Sequence, residues 1–264
     1  MNNLINKVFE NEKAFIPFLT AGDPDLETTE QLIYAMAENG ADLIELGIPF
    51  SDPVTEGIES QKASERALSK GITTDDIMDM VEKVRKNTDI PIAFSTYINL
   101  IFNYGIEKFM KKCNELNVVA VIVPDIPYEE KEELEPMCNK YGVQLISFIA
   151  ATSNDRVKKI AKEAKGFVYC LPPVDFNGVK KEFDKNLSKM VKTVKEVKNI
   201  PCVIGFDEMT ENEAREYAKY ADGIVIADAV VKIVGEFGKN SINEVANYVK
   251  TMKNAINEAL EATA

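Results

Sequence analysis

The segment Leu43–Gly57 reads LIELGIPFSDPVTEG and contains the features that decide both the fold and the site. It begins as a short apolar strand with the carboxylate of Glu45 in its middle, and it continues into a loop with two more carboxylates, Asp52 and Glu56. Burying an ionised carboxylate among leucine and isoleucine is unfavourable unless another group pairs with it. A strand of this kind, opening into a long acidic loop, is typical of one wall of a reaction site.

Similar apolar runs of strand length recur along the chain, with helical stretches between them. Most are continuous rather than alternating, as expected where both faces of a parallel sheet are covered. Eight β/α units in about 250 residues predict an α/β protein, a single (β/α)8 TIM barrel over residues 1–264 with a short N-terminal helix at its base. An open doubly wound sheet is the alternative, but no GxGxxG follows the first strand. The predicted strands are Ala14–Leu19, Leu43–Gly47, Ile92–Ser95, Val119–Val123, Leu145–Ile149, Phe167–Leu171, Cys202–Gly205 and Gly223–Ile226.

Composition excludes several classes of function. The net charge of −12 disfavours nucleic acid and anionic membranes as partners. No apolar run approaches the roughly 20 residues that cross a bilayer, and the first residues lack a secretory signal, so we expect a cytoplasmic protein. Histidine is absent, which leaves acid–base chemistry to carboxylates, tyrosine or lysine. The four cysteines are far apart in the sequence, and we expect them to be reduced thiols. We expect neither a metal nor a cofactor.

Four segments carry a resemblance to a known family, the alpha subunit of tryptophan synthase. They are FIPFLTAGDPD at Phe15–Asp25, ADLIELGIPFSDPV at Ala41–Val54, IFNYGIEKF at Ile101–Phe109 and VPDIP at Val123–Pro127. The resemblance implies a (β/α)8 barrel that cleaves indole-3-glycerol phosphate to indole and glyceraldehyde 3-phosphate in tryptophan biosynthesis. It also implies a tryptophan synthase beta subunit, or a homologue of it, as the partner that consumes the indole.

The resemblance assigns roles to several residues. Glu45 matches the acid–base carboxylate that delivers a proton to the indole carbon; a structural carboxylate is the alternative. Glu56 occupies the place of a catalytic aspartate that accepts the indole N–H, although its side chain is one methylene longer and a solvated loop glutamate is the alternative. Phe18, Tyr97 and Tyr169 fall where the family lines its indole pocket, and core packing equally explains Phe18.

The chain departs from the family where the family binds phosphate through backbone N–H groups. The corresponding residues are Phe176-Asn177-Gly178, Gly205-Phe206-Asp207 and Ala227-Asp228. Gly178 and Gly205 match the family pattern, but Asp207 and Asp228 would place carboxylates near a dianionic phosphate. Two unit charges 4 Å apart repel by about 4 kcal/mol at an effective dielectric near 20. Asp228 suits an N-cap of the helix that follows it, and we expect it to stand in for the phosphate. Alternatively, both aspartates cap helices and face water.

Three hypotheses follow for the function. The first is an indole-3-glycerol-phosphate lyase with an altered phosphate site. The second is a paralogue acting on a non-phosphorylated or cationic substrate, which Asp207 and Asp228 favour. The third is a non-catalytic subunit that binds a beta-type partner.

Overall fold

The computed structural model describes residues 2–10, 13–150, 153–171 and 180–261. Within these ranges the strands form one parallel sheet in the order β5-β4-β3-β2-β1-β9-β8-β7-β6. The strands are β1 (Ala14–Thr20), β2 (Ile44–Gly47), β3 (Ile92–Ser95), β4 (Val118–Ile122), β5 (Gln144–Leu145), β6 (Ser147–Ala150), β7 (Val168–Leu171), β8 (Cys202–Phe206) and β9 (Gly223–Ile226).

Helices connect consecutive strands, except β5 and β6, and cover the outside of the sheet. Two short 3-10 helices, Tyr128–Glu133 and Gly238–Asn240, accompany them. The α-helices are α1 (Asn2–Lys7), α2 (Leu26–Glu38), α3 (Ile58–Leu68), α4 (Thr74–Val84), α5 (Ile98–Tyr104), α6 (Ile106–Glu115), α7 (Glu135–Tyr141), α8 (Asn154–Glu163), α9 (Lys180–Val197), α10 (Glu211–Ala218), α11 (Asp228–Phe237) and α12 (Ile242–Glu261).

The sheet closes into a barrel through a single residue, Ile146. This residue separates β5 from β6, and its N–H donates to the carbonyl of Val121 at 3.0 Å. Since β5 pairs with β4 and β6 pairs with β7, the two short strands are halves of one barrel strand. The predicted eight-stranded (β/α)8 barrel is therefore confirmed; that all of residues 1–264 form one domain stays a prediction.

Alternate side chains of each strand point into the barrel, as the period of two requires. Ala14, Ile16 and Phe18 of β1 follow this rule, and the first two belong to an interior cluster with Ala93 of β3 and Val203 of β8. Glu45 has the same inward orientation one level above Leu43, so the barrel interior changes from apolar to polar towards the carboxyl ends of the strands.

The predicted N-terminal helix closes the base of the barrel. Ile5 of α1 and Val8 just after it are buried in the same interior cluster as Phe167. The rings of Phe9 and Phe167 also touch, with centroids 5.7 Å apart. Among the described residues, apolar side chains therefore fill the base of the barrel and leave its other end for a ligand.

A larger apolar layer lies between the strands and the surrounding helices. The four cysteines are buried and unpaired, in agreement with the expectation of reduced thiols. None of the helices in the described ranges is both long enough and apolar enough to cross a lipid bilayer.

Replacing Phe167 by alanine tests the packing at the base. We expect Phe167→Ala to lower the free energy of unfolding by about 3–5 kcal/mol, because it leaves a cavity between α1 and the strands. Phe102→Ala is the control, since this ring is 44% exposed and its loss should cost less than about 1 kcal/mol. Urea denaturation of both variants gives the comparison; equal losses would contradict a packed base.

Candidate active site

A cavity of about 570 Å³ opens at the carboxyl ends of the strands. Its volume lies within the range of about 300–1,000 Å³ that small-molecule sites occupy. Six of the residues predicted for the site line it, on strands or loops from different parts of the chain. They are Phe18, Glu45, Glu56, Tyr169, Gly205 and Asp207.

Glu45 lies deepest among the carboxylates of this cavity. In the sheet it is in register with Phe18 of β1 and Ala93 of β3, and its side chain is 5% exposed. One oxygen, Oε2, is buried without a hydrogen-bond partner. Burial raises the pKa of Glu45 to about 7; a hydrogen bond from Ser95 opposes this shift, and the charge of Glu56 adds to it. The carboxyl can therefore be protonated near neutral pH.

Glu56 lies in the loop between β2 and α3 and is half-buried. Its Oε2 atom is also buried without a partner. Burial raises the pKa of Glu56 to about 7, and the negative charge of Asp228 acts in the same direction. This environment differs from that of a solvated loop glutamate, which was the alternative for Glu56.

Glu45 and Glu56 both line the cavity, and burial raises the pKa of each carboxyl. The charge of Glu56 adds to the shift at Glu45, so an ionised Glu56 favours the protonated form of Glu45. Two carboxyls of this kind suit the roles of proton donor and proton acceptor. In the part of the chain that the structure describes, no three His, Cys, Asp or Glu side chains are grouped as metal ligands.

Tyr97 holds the Glu56 loop rather than lining the cavity. Its hydroxyl accepts the backbone N–H of Thr55 at 3.1 Å and lies 2.7 Å from the Thr55 hydroxyl. Its ring stacks on Phe50, with centroids 4.9 Å apart. Direct contact between Tyr97 and a substrate stays a prediction, whereas its contacts favour a positioning role.

Two glycines leave room for the aromatic side chains of the cavity. A Cβ atom on Gly47 would lie 2.5 Å from the ring of Phe18, and one on Gly205 would lie 2.4 Å from the ring of Tyr169. Burial raises the pKa of Tyr169 well above its ordinary value, and the charges of Glu45 and Asp207 add to this. Gly205 was predicted for close backbone approach of a phosphate; here its missing side chain admits the tyrosine.

The two aspartates of the altered segments have different surroundings. Asp207 lies at the rim of the cavity with much of its side chain exposed; partial desolvation of its carboxyl and then the charge of Asp228 raise its pKa. Asp228 is only 7% exposed, so it does not face water. Gly178 lies outside the described residues.

The prediction that Asp228 caps its own helix is wrong. Helix α11 begins at Asp228, Ala227 is its N-cap, and no side chain caps it. Instead, the Asp228 carboxylate accepts a hydrogen bond from the Ser60 hydroxyl at 2.6 Å, on the neighbouring helix α3. The side chain of the first helical residue therefore reaches across to another helix.

Several residues of the cavity lining were missed from the sequence, and three of them carry polar or aromatic side chains that bear on its chemistry. Ser95 and Phe148 line the cavity from β3 and β6, and Ser60 from α3. Ser95 and Phe148 each lie two positions after an inward residue, Ala93 and Ile146, so the period of two would have found them once those inward residues were known. No local pattern marks Ser60, because its partner lies 168 positions away.

Comparisons with known proteins agree on one family. The family model described as tryptophan synthase alpha chain matches residues 4–261. The tryptophan synthase alpha chain of Lacticaseibacillus casei is 41% identical over 249 residues, which cover 94% of each chain. That of Thermoanaerobacter sp. (strain X514) is 40% identical over 261 residues, covering 96% of this chain and all of the relative. A crystal structure of tryptophan synthase subunit alpha from Legionella pneumophila str. Paris superposes with a TM-score of 0.87 at 30% identity, covering 97% and 98% of the two chains.

The burial of Glu45 predicts a stability effect that depends on pH. The pKa of Glu45 is about 7 in the folded state, above the ordinary value of 4.5. Between pH 4.5 and pH 7 the folded state therefore binds a proton that the unfolded state has lost. The free energy of unfolding falls as pH rises through this range. Glu45→Gln cannot ionise. Its free energy of unfolding should exceed that of the wild type by up to about 3 kcal/mol above pH 7, and the difference should vanish near pH 4.

Urea denaturation between pH 4 and 8 measures this difference. The control is Glu130→Gln, which removes a carboxylate from the surface and should change stability by less than about 0.5 kcal/mol throughout. A gain for Glu45→Gln that does not vary with pH would contradict a raised pKa at this position.

Proposed function

The chain belongs to the tryptophan synthase alpha chain family, and we propose that Glu45 and Glu56 carry out that family's reaction in its cavity. The protein is a carbon–carbon lyase of tryptophan biosynthesis, which cleaves indole-3-glycerol phosphate to indole and glyceraldehyde 3-phosphate. The observation that supports the catalytic assignment is the pair of carboxyls with pKa values near 7 inside the barrel mouth.

In the first step, the ring must accept a proton at the carbon that bears the side chain. The protonated carboxyl of Glu45 gives its proton to this carbon, while the ionised carboxyl of Glu56 takes the proton of the ring N–H. The ring therefore reaches the indolenine tautomer without carrying a net charge. Burial of Glu45 supports this role, because a carboxyl with an ordinary pKa would have no proton to give near pH 7.

In the second step, the side chain leaves as an aldehyde. Glu45, now ionised, accepts the proton of the hydroxyl on the adjacent side-chain carbon as the bond from that carbon to the ring breaks. The electron pair of this bond returns to the ring, and the nitrogen regains its proton from Glu56. Both carboxyls are thus restored, and the products are indole and glyceraldehyde 3-phosphate.

Phe18 and Tyr169 supply the apolar walls between which an indole ring fits. Both line the cavity next to Glu45, and Phe148 lies 4.9 Å from Tyr169, ring centroid to ring centroid. The flat faces of these rings suit a flat aromatic substrate.

The partner of the chain is the tryptophan synthase beta subunit. Val54 and Ile58 flank Glu56 and are 80% and 68% exposed, an unusual exposure for aliphatic side chains beside a cavity. We infer that this loop faces the beta subunit. A cytoplasmic location and one domain over residues 1–264 complete the proposal.

The rim of the cavity favours a second candidate function, the same cleavage of an indole substrate without phosphate. Asp207 presents a carboxylate at the rim, next to Gly205 and near Asp228. A dianionic group near these carboxylates is disfavoured by like-charge repulsion.

Replacing each carboxyl by its amide tests the catalytic assignment. Glu45→Gln and Glu56→Gln should each lower kcat by about 100-fold to 10,000-fold, since proton transfer by a positioned side chain contributes this much. Steady-state release of indole measures the loss, and Glu130→Gln should keep the wild-type rate. Wild-type turnover by Glu45→Gln would refute the assignment.

Substrate comparison separates the two candidate functions. If the substrate is indole-3-glycerol phosphate, its kcat/KM should exceed that of the dephosphorylated indole glycerol at least about tenfold, a difference of about 1.4 kcal/mol. In the same assay, Asp207→Gly should raise the kcat/KM of the phosphorylated substrate by removing a repulsive charge. A wild-type preference for the dephosphorylated compound would favour the second candidate instead.

A further inference from the structure

The carboxylate of Asp228 is bound at the beginning of α3, although the two lie far apart in the sequence. Oδ1 accepts the Ser60 hydroxyl at 2.6 Å and the Ser60 N–H at 3.3 Å, and Oδ2 accepts the N–H of Glu59 at 3.3 Å. The side chain is 7% exposed, so these hydrogen bonds are shielded from water. They join the start of α11, after β9, to the start of α3, after β2.

Helix α3 has no side chain of its own to satisfy its first N–H groups. Its N-cap is Gly57, which provides no acceptor. A Cβ atom on Gly57 would lie 2.2 Å from Oδ2 of Asp228, so only glycine leaves room for the carboxylate here. Asp228 therefore provides from outside what an N-cap residue usually provides, and its negative charge is favourable at this end of the helix.

Helix α11 does not need the Asp228 side chain for its own beginning. The N–H of Ala229 donates to the carbonyl of Asp207 at 3.0 Å, and the N–H of Val230 donates to the carbonyl of Ala227 at 3.2 Å. Since backbone carbonyls satisfy these donors, the side chain at position 228 is available to α3.

Glu56 directly precedes Gly57, so its position depends on how the start of α3 is fixed. The groups that face it come from several elements: Asp228 at the start of α11, Glu45 on β2, and Tyr97 after β3. The charge of Asp228 acts in turn on Asp207 at the rim, and the charge of Glu45 acts on Tyr169. Of these groups, Asp228 is the one that forms hydrogen bonds with the start of α3, and α3 begins directly after the Glu56 loop.

We propose that Asp228 is a positioning residue for Glu56, acting as an anion built into the chain that fixes the start of α3 and imposes its negative charge on the Glu56 carboxyl. This inference rests on the proposed role of Glu56 as the base that takes the ring N–H proton. The charge keeps Glu56 able to hold that proton and return it near neutral pH.

The first test measures the Glu56 carboxyl directly and needs no turnover. Glu45→Gln removes the titrating carboxyl of Glu45 from the cavity. In this background, carbon-13 NMR of labelled glutamate follows the titration of Glu56, first with Asp228 intact and then with Asp228→Asn. Asparagine keeps one acceptor oxygen for Ser60 but removes the charge. The pKa of Glu56 should fall by about 1 or more in the double variant. Glu236→Gln, which removes a charge from the exposed part of α11, is the control and should leave it unchanged.

The second test uses turnover in the otherwise wild-type chain. Asp228→Asn should lower kcat about threefold to tenfold with KM changed less than about twofold, because the base is displaced and its pKa falls. Asp228→Ala should lose more, and millimolar formate should restore part of the loss by occupying the emptied position at the start of α3. Thermal unfolding shows whether each variant is folded. If Asp228→Ala does not fold, the kcat of Asp228→Asn alone tests the proposal.

An unchanged Glu56 pKa in the double variant, or wild-type kcat in a folded Asp228→Ala, would overturn the proposal. The proposed function fails separately: if Glu45→Gln alone keeps wild-type turnover, the reaction assignment is lost, while the NMR titration still decides whether Asp228 controls Glu56.

Discussion

Burial of the Glu45 carboxyl is the constraint on which the rest of the site depends. The register of β2 places this side chain inside the barrel, level with Phe18 on the neighbouring strand. Among the described lysines and arginines none forms an ion pair with it, and one of its oxygens is unpartnered. The barrel must therefore be stable enough to hold a carboxyl that would ionise readily in water, and the apolar cluster beneath it supplies that stability.

A second carboxyl is useful only if it stays close to the first, and the structure achieves this with two anchors from opposite sides. Tyr97 binds Thr55 on one side of Glu56, and Asp228 binds Glu59 and Ser60 on the other. Tyr97 follows β3, which pairs with β2, and Asp228 follows β9, which is separated from β2 by β1. A loop that carries function on a rigid scaffold needs such contacts, because its own backbone makes few regular hydrogen bonds.

The contacts of Asp228 and Gly205 explain how the segments that depart from the family's phosphate-binding pattern still fit into a folded site. Where the family implies backbone N–H groups turned towards a phosphate, this chain has the Asp228 carboxylate bound to α3 and the Tyr169 ring over Gly205. Internal groups thus occupy this side of the mouth. The exposed carboxylate of Asp207 makes its rim negative, which is the feature that most separates this chain from the pattern that its resemblance implies.

The strands, the barrel and the position of Glu45 could be predicted from the sequence because they depend on local patterns. Continuous apolar runs predicted the strands to within about two residues, apart from the break at Ile146, where one strand is shared between two neighbours. The contacts of Asp228 and Gly205 could not be predicted, since they depend on the direction of side chains from distant segments. A helix-start aspartate usually caps its own helix, and only the packed structure shows that α3 is nearer.

The most direct test of this account is the titration of the Glu45 carboxyl itself. Carbon-13 NMR of glutamate-labelled protein, with Glu45→Gln used to assign the signal, gives its pKa without reference to activity. The account predicts a value of about 7, produced mainly by burial. A value near the ordinary 4.5 would mean that water or an unrecognised partner stabilises the ionised form, and it would contradict the role of Glu45 as a proton donor.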